Sequence, residues 1–88
     1  MPFTDAREVA TLLDSLARNR SCVVGMTGDP GQFLAIHKTA DAKMFHWVPC
    51  TSVQVARDAL ALLLQWGRAR GPEGDGEYVY IWDPMDDA

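Results

Sequence analysis

Cys22, His37 and His46 are the side chains of this chain whose types best suit a metal site. Thiolate and imidazole groups are good zinc ligands, and three of them hold a metal with water in the fourth position. If one hairpin turns at Asp29–Pro30 and a second at Asp41–Ala42, the three side chains lie side by side on one sheet face. A slip of one residue in either turn separates them. The pattern also fits two half-buried histidines and a buried thiol, and we favour this interpretation, with no metal and no other cofactor.

The same three side chains could form a Cys–His nucleophile pair, which needs an adjacent base and an orienting third group. Asp29 and Asp41 lie in predicted turns at opposite ends of the strands, where neither orients a histidine. The glycine-containing segment at Gly25–Gly31 lacks the Lys-Ser/Thr ending of a phosphate-binding loop and is predicted to be a turn. We therefore predict no catalytic residues and no enzyme activity.

The excess negative charge of the chain lies at one end. Residues 73–88 contain six carboxylates and no lysine or arginine, a net charge of −6, whereas residues 1–70 have a net charge of +2. Aromatic residues alternate among these carboxylates, as on one face of a strand. Exposed rings beside carboxylates suit a basic protein partner. We predict a partner-binding stripe made of Glu73, Asp75, Glu77, Tyr78, Tyr80, Trp82 and Asp83.

Two other interpretations of this segment stay open. A strand face that packs beneath a helix is also rich in aromatic residues, and carboxylates near the end of a chain often serve solubility alone. The flanking acids favour exposure, because a strand lined by Asp and Glu is expected near a sheet edge. The other face of the strand, with Val79 and Ile81, could supply the core contact.

Size and composition indicate a small globular protein. The 88 residues are 48% hydrophobic and 23% charged, and they are expected to form a single domain over residues 1–88. The net charge of −4 disfavours direct nucleic-acid binding. The longest apolar stretch is too short for a membrane span, and the N-terminal residues do not resemble a signal peptide. We expect a cytoplasmic protein whose two cysteines, Cys22 and Cys50, are reduced and buried.

The hydrophobic pattern predicts an α+β fold with the order α-β-β-β-α-β, in which two helices pack on a four-stranded mixed sheet. Short connections favour an antiparallel meander of the first three strands. The strands are predicted at Cys22–Met26, Gln32–Lys38, Met44–Val48 and Glu77–Trp82.

Two amphipathic helices are predicted on either side of the first three strands. The first covers about residues 5–18, with Thr4 as its cap and an apolar stripe. The second covers Ser52–Arg68, and Thr51 is predicted to cap it with Gln54 in a capping box. The stripe of the first helix consists of Val9, Leu12, Leu13 and Leu16.

The second half of the chain resembles one family of immunity proteins that neutralise bacterial polymorphic toxins. Pro49 leads into a helix with Val55, Ala56 and Ala59, and the chain closes with the strand pattern Val79-x-Ile81-Trp82. Phage-encoded inhibitors such as anti-CRISPR proteins are similar in size and charge. Either resemblance implies a non-enzymatic inhibitor that occludes a toxin or nuclease. The alternative is a structural module that forms a homodimer through its sheet, with Trp82 or Phe45 against its own copy.

Overall fold

The computed structural model describes residues 2–18, 22–37, 45–71 and 74–83. Within these ranges the chain forms three helices and four strands. The predicted α+β class and the four-stranded mixed sheet are confirmed, although these ranges contain three helices where two were predicted. In chain order the elements are α1 (Ala6–Ala17), β1 (Val23–Thr27), α2 (Pro30–His37), β2 (Phe45–Pro49), α3 (Val53–Gln65), β3 (Ala69–Arg70) and β4 (Tyr78–Trp82).

The sheet has the strand order β2-β4-β1-β3, so the last strand of the chain lies inside it. β4 runs antiparallel to both β1 and β2, and β3 pairs parallel to β1. The predicted antiparallel meander is therefore wrong, because β4 separates β1 from β2. The chain does not turn back beside β1 but forms α2 before it reaches β2.

The strand predicted at Gln32–Lys38 is wrong, because residues 30–37 form α2; Lys38 lies outside the described residues. Asp29 starts this helix. Its Oδ1 accepts a hydrogen bond from the Gln32 N–H at 3.1 Å, and its carbonyl accepts one from the Phe33 N–H at 3.0 Å. Pro30 suits the first helical position, since its fixed φ is helical and the N–H it lacks needs no partner there.

Each of the other two helices is capped one residue later than predicted. Asp5, not Thr4, caps α1, and its Oδ1 accepts hydrogen bonds from two first-turn N–H groups at 2.9 and 3.3 Å. Ser52, not Thr51, caps α3, and its Oγ accepts a hydrogen bond from the Val55 N–H at 3.2 Å. Asp and Ser are stronger caps than Thr, and a carboxylate also favours the positive end of the helix dipole.

The buried stripe of α1 differs from the predicted one. Leu12 and Leu16 were predicted to be buried but are 39% and 40% exposed. Two alanines of α1 are completely buried instead, as are Ala56 and Ala59 of α3, the helix that α1 contacts. Such small side chains allow two helices to approach closely. The buried residues of α1 are Val9, Ala10, Leu13 and Ala17.

Arg68 ties the end of α1 to the end of α3. Its Nε donates to the Asp14 carboxylate at 2.9 Å, and its Nη2 donates to the Arg18 carbonyl at 2.8 Å. Carbonyls at the end of a helix have no partner within the helix, so the guanidinium satisfies one of them. The Arg68 side chain is only 14% exposed, so this contact is shielded from water on most sides.

The main hydrophobic core lies between the α1–α3 pair and one face of the sheet. The helices contribute leucines and alanines to it, and the strands contribute branched aliphatic residues. Complete burial of one such side chain stabilises the fold by about 1.5–3 kcal/mol. The strand residues in this core are Val24, Met26, Val48, Val79 and Ile81. Phe33 of α2 lies on the opposite face of the sheet, against Tyr80, Phe45 and Trp82.

Candidate binding surface

The side chains of β4 alternate as the sequence predicts. Val79 and Ile81 are completely buried in the main core. The aromatic residues point to the α2 side of the sheet, where they meet rings from α2 and β2. Glu77, the residue before β4, lies close enough to the Cys50 thiol of the main core for its charge to act on it. The predicted stripe is thus divided, because its rings lie on the α2 side while Glu77 lies beside the α1–α3 core.

Tyr80 was predicted to be an exposed anchor, and this is wrong. Its side chain is completely buried, with its ring centroid 4.4 Å from that of Phe33 and 5.7 Å from that of Phe45. Two glycines make room for it. A Cβ atom at Gly25 would lie 2.5 Å from the Tyr80 hydroxyl oxygen, and one at Gly71 would lie 2.8 Å from it. Tyr80 is therefore a core residue of the α2 side.

Trp82 is half-buried rather than fully presented to solvent. The Phe33 ring meets it edge-on, with centroids 5.8 Å apart. Phe45 is its partner across the strands β2 and β4 and is half-buried as well. These two residues can supply part of a contact surface, and the Phe33 ring of α2 packs against both of them.

The open part of the α2 side is centred on Trp47, which the sequence analysis did not select. Trp47 is 47% exposed, and its ring meets the half-buried Tyr78 ring edge-on at a centroid distance of 5.5 Å. The signal for Trp47 was available: Phe45 and Trp47 alternate in β2 as Tyr80 and Trp82 do in β4. We call the set Phe45, Trp47, Tyr78 and Trp82 the Trp47 surface.

The predicted carboxylates have separate environments. Asp75 forms an exposed ion pair with Arg57 at 3.2 Å, so its charge is already partly balanced. Glu77 is exposed, and its carbonyl accepts the Cys50 N–H at 2.7 Å. Asp83 is half-buried where β4 ends. Glu73 lies outside the described residues, as do Asp86 and Asp87.

Cys22 and Cys50 are both buried thiols that form no disulfide, as predicted. Burial raises the pKa of the Cys50 thiol above its ordinary value, and the nearby negative charge of Glu77 raises this pKa further. The thiolate is the reactive form of cysteine, so Cys50 stays protonated and unreactive at neutral pH.

The possible row of Cys22, His37 and His46 does not form. Residues 30–37 are helical, so His37 has no strand position opposite Cys22 or His46. His46 lies in β2 opposite Ile81 and is exposed. In the part of the chain that the structure describes, no three metal-ligating side chains come together.

The described charges differ between the two sides of the sheet. All five arginines of the described ranges lie on the α1–α3 side of the sheet. One is in α1, one directly follows it, one is in α3, one joins the ends of these two helices, and one is in β3 beside Leu60 and Leu64. Asp29, at the start of α2, is exposed, and Lys38 and Lys43 lie outside the described residues. Exposed rings with no described arginine on their side of the sheet suit an apolar or cationic group, since a cation is attracted to the face of Trp or Tyr. The five arginines are Arg7, Arg18, Arg57, Arg68 and Arg70.

Comparison of the chain with protein-family models, with characterised proteins and with solved structures gave no match. These comparisons therefore assign the chain to no family. None of the helices in the described ranges has the length and apolar character that a membrane crossing requires.

Proposed function

We propose that the chain is a small acidic, non-enzymatic binding protein that inhibits a basic partner protein by covering the partner's active or nucleic-acid-binding site. The observation that carries this proposal is the Trp47–Tyr78 pair, which leaves a large ring open beside a sealed aromatic core. Half-exposed tryptophans of this kind often become the central residues of a protein interface once a partner excludes water from them.

Charge supports a basic partner. The chain has a net charge of −4, and the arginines of the described ranges lie on the other side of the sheet from the Trp47 surface. The net negative charge of the chain speeds association with a positive surface, while rings that become buried in the complex slow dissociation. A toxin or nuclease that binds nucleic acid carries such a positive surface at its active site.

A matched pair of tryptophan variants tests this proposal. Trp66 is 41% exposed and follows α3, on the other side of the sheet, so Trp66→Ala is the control for Trp47→Ala. We expect a protein from the native cells to be retained by the wild type and by Trp66→Ala, and to be lost with Trp47→Ala. The retained protein is then purified, and its own activity is titrated with the chain.

The expected result is complete inhibition at one equivalent of the wild-type chain, and at least tenfold weaker inhibition by Trp47→Ala. Equal retention by both tryptophan variants would reject the Trp47 surface. A retained protein whose activity is unaffected would reject inhibition. Sedimentation of the chain alone at micromolar concentration tests the alternative function as a homodimer. That alternative requires a tight dimer through Phe45 or Trp82.

A further inference from the structure

β2 lies at an edge of the sheet. Among the described strands, β4 pairs with one side of β2, and no strand pairs with its other side. Opposite residues in an antiparallel pair alternate between those that exchange hydrogen bonds and those that do not. The Cys50 N–H donates to the Glu77 carbonyl, so Cys50 turns its backbone polar groups toward β4. Counting back by two residues in the register gives His46 and Val48 as the other residues of β2 that bond to β4. Phe45, Trp47 and Pro49 therefore turn their backbone polar groups outward.

The chain itself already uses the end of this edge. The Pro49 carbonyl accepts the Phe3 N–H at 2.8 Å, and the Thr51 N–H donates to the Phe3 carbonyl at 2.9 Å. Phe3 thereby forms a parallel bridge opposite Cys50. Pro49 also fits the edge, since a proline is tolerated where its missing N–H would point away from the neighbouring strand. Two outward positions, Phe45 and Trp47, continue the same row of backbone groups.

We propose that an extended segment carrying Lys or Arg at alternate positions adds to the sheet along Phe45–Trp47. This proposal rests on the proposed function and specifies how the partner is held. Main-chain hydrogen bonds from Phe45 and Trp47 give the affinity of such strand addition, and pockets for alternate side chains give its specificity. One side of the added segment lies beside the Trp47 surface, where the exposed indole ring suits a guanidinium or ammonium group.

Charge selects this occupant over a second copy of the chain. Two copies would each bring a net charge of −4, whereas a basic segment lowers the total charge. The Lys or Arg side chains of such a segment would also be repelled by none of the described arginines, because these lie on the other side of the sheet. A basic extended segment therefore matches both the row of backbone groups and the net negative charge of the chain.

The first experiment uses synthetic peptides as probes. A capped hexapeptide of alternating Arg and Val is compared with the same peptide N-methylated at every second residue, and with a Glu–Val analogue. We expect the Arg–Val peptide to shift the amide signals of Phe45 and Trp47 in the NMR spectrum of the full chain. N-methylation on the pairing edge should weaken binding about tenfold, because it removes main-chain donors. The Glu–Val analogue should not bind at the same concentrations.

The second experiment separates the backbone from the indole ring. Trp47→Val and Trp47→Pro both remove the ring, but Trp47→Pro also removes the outward N–H, in the same orientation that Pro49 occupies. Circular dichroism first establishes that both variants are folded. We expect Trp47→Pro to bind the Arg–Val peptide at least threefold more weakly than Trp47→Val. Equal affinities for both variants, together with equal affinities for the methylated and unmethylated peptides, would overturn strand addition.

The remaining outcomes are also decisive. No binding of the Arg–Val peptide at millimolar concentration would overturn the proposal. Shifts of the Phe45 and Trp47 amides that depend on the concentration of the chain alone would assign the edge to a second copy. If the peptide binds as expected but no partner is inhibited, strand addition holds and the proposed function fails. If a partner is captured through Trp47 but N-methylation has no effect, the proposed function holds and strand addition fails.

Discussion

The two sides of the sheet are closed by different means. On one side, α1 and α3 lie against the strands, and alanines and leucines fill the space between them. On the other side, the eight-residue helix α2 covers Tyr80 with Phe33 and leaves Trp47 half-exposed. The first side has enough small residues for close packing, while the second is built from large rings that a short helix covers only in part. The first side therefore supplies the main core, and the second leaves part of an aromatic surface exposed.

The largest expected effect is on the α1–α3 side. Leu63 is completely buried there, so Leu63→Ala should lower the free energy of unfolding by about 2–5 kcal/mol. Leu16→Ala is the matched control, because Leu16 is 40% exposed and its truncation should cost less than about 1 kcal/mol. Urea unfolding measures both. Similar losses for the two leucines would mean that Leu16 is covered in solution and that the contrast between the sides is wrong.

The next effect tests the packing of Tyr80 on the α2 side. A Cβ atom at Gly25 would collide with the Tyr80 ring, so Gly25→Ala should lower the free energy of unfolding by about 1–3 kcal/mol. Gly31→Ala, within α2, is the control. The added Cβ atom would lie 3.4 Å from the Asp29 carboxylate, an ordinary contact distance, and alanine favours a helix. We expect thermal unfolding to show no loss for Gly31→Ala. An unchanged melting temperature for Gly25→Ala would mean that Tyr80 is not held between these glycines.

Two arginines of the α1–α3 side should differ in how much they contribute to stability. Arg68 is mostly buried and bonds to Asp14 and to a helix-end carbonyl, so Arg68→Ala should cost about 1–3 kcal/mol of unfolding free energy. Arg57 forms an exposed pair with Asp75, and Arg57→Ala should cost about 0–1 kcal/mol. Urea unfolding at low and high salt checks both values. A larger loss for Arg57→Ala than for Arg68→Ala would contradict this order.

The smallest effect concerns pH. The folded structure raises the pKa of Cys50, so the protonated thiol stabilises the fold. This contribution is complete below the pKa of the unfolded chain and is lost as pH rises through the folded-state pKa. The free energy of unfolding of the wild type should therefore fall more steeply above about pH 8.5 than that of Cys50→Ala. Parallel pH profiles would show that the Cys50 thiol is not buried as described.

The sequence predicts β4, α1 and α3 correctly as elements, because the spacing of apolar side chains within one element indicates its type. The same spacing did not fix which leucines of α1 are buried, since that depends on the packing partner. α2 was missed because its short apolar run fits a buried strand as well as a helix, and the Asp29–Pro30 pair that starts it is also a common turn. A local pattern does not distinguish these two cases; the packing of Phe33 against Tyr80 does.

The candidate site depended on long-range packing and was therefore harder to predict. Tyr80 and Tyr78 are equivalent in the sequence pattern, yet α2 covers one and leaves the other half-buried. Gly25 and Gly71 make room for Tyr80 from strand β1 and from the residue after β3, far from it in sequence. Trp47 becomes part of the surface because β2 pairs with β4, and this pairing was not expected.

Amide hydrogen exchange in the chain without a partner tests the open edge most directly. The register predicts that the His46 and Val48 amides are protected by β4, whereas the Phe45 and Trp47 amides, one residue away from them, exchange rapidly. This alternation of slow and fast amides along one strand is the expected result. Equal protection of all four amides would show that the edge beside Trp47 is already covered, so that no further strand could add to it.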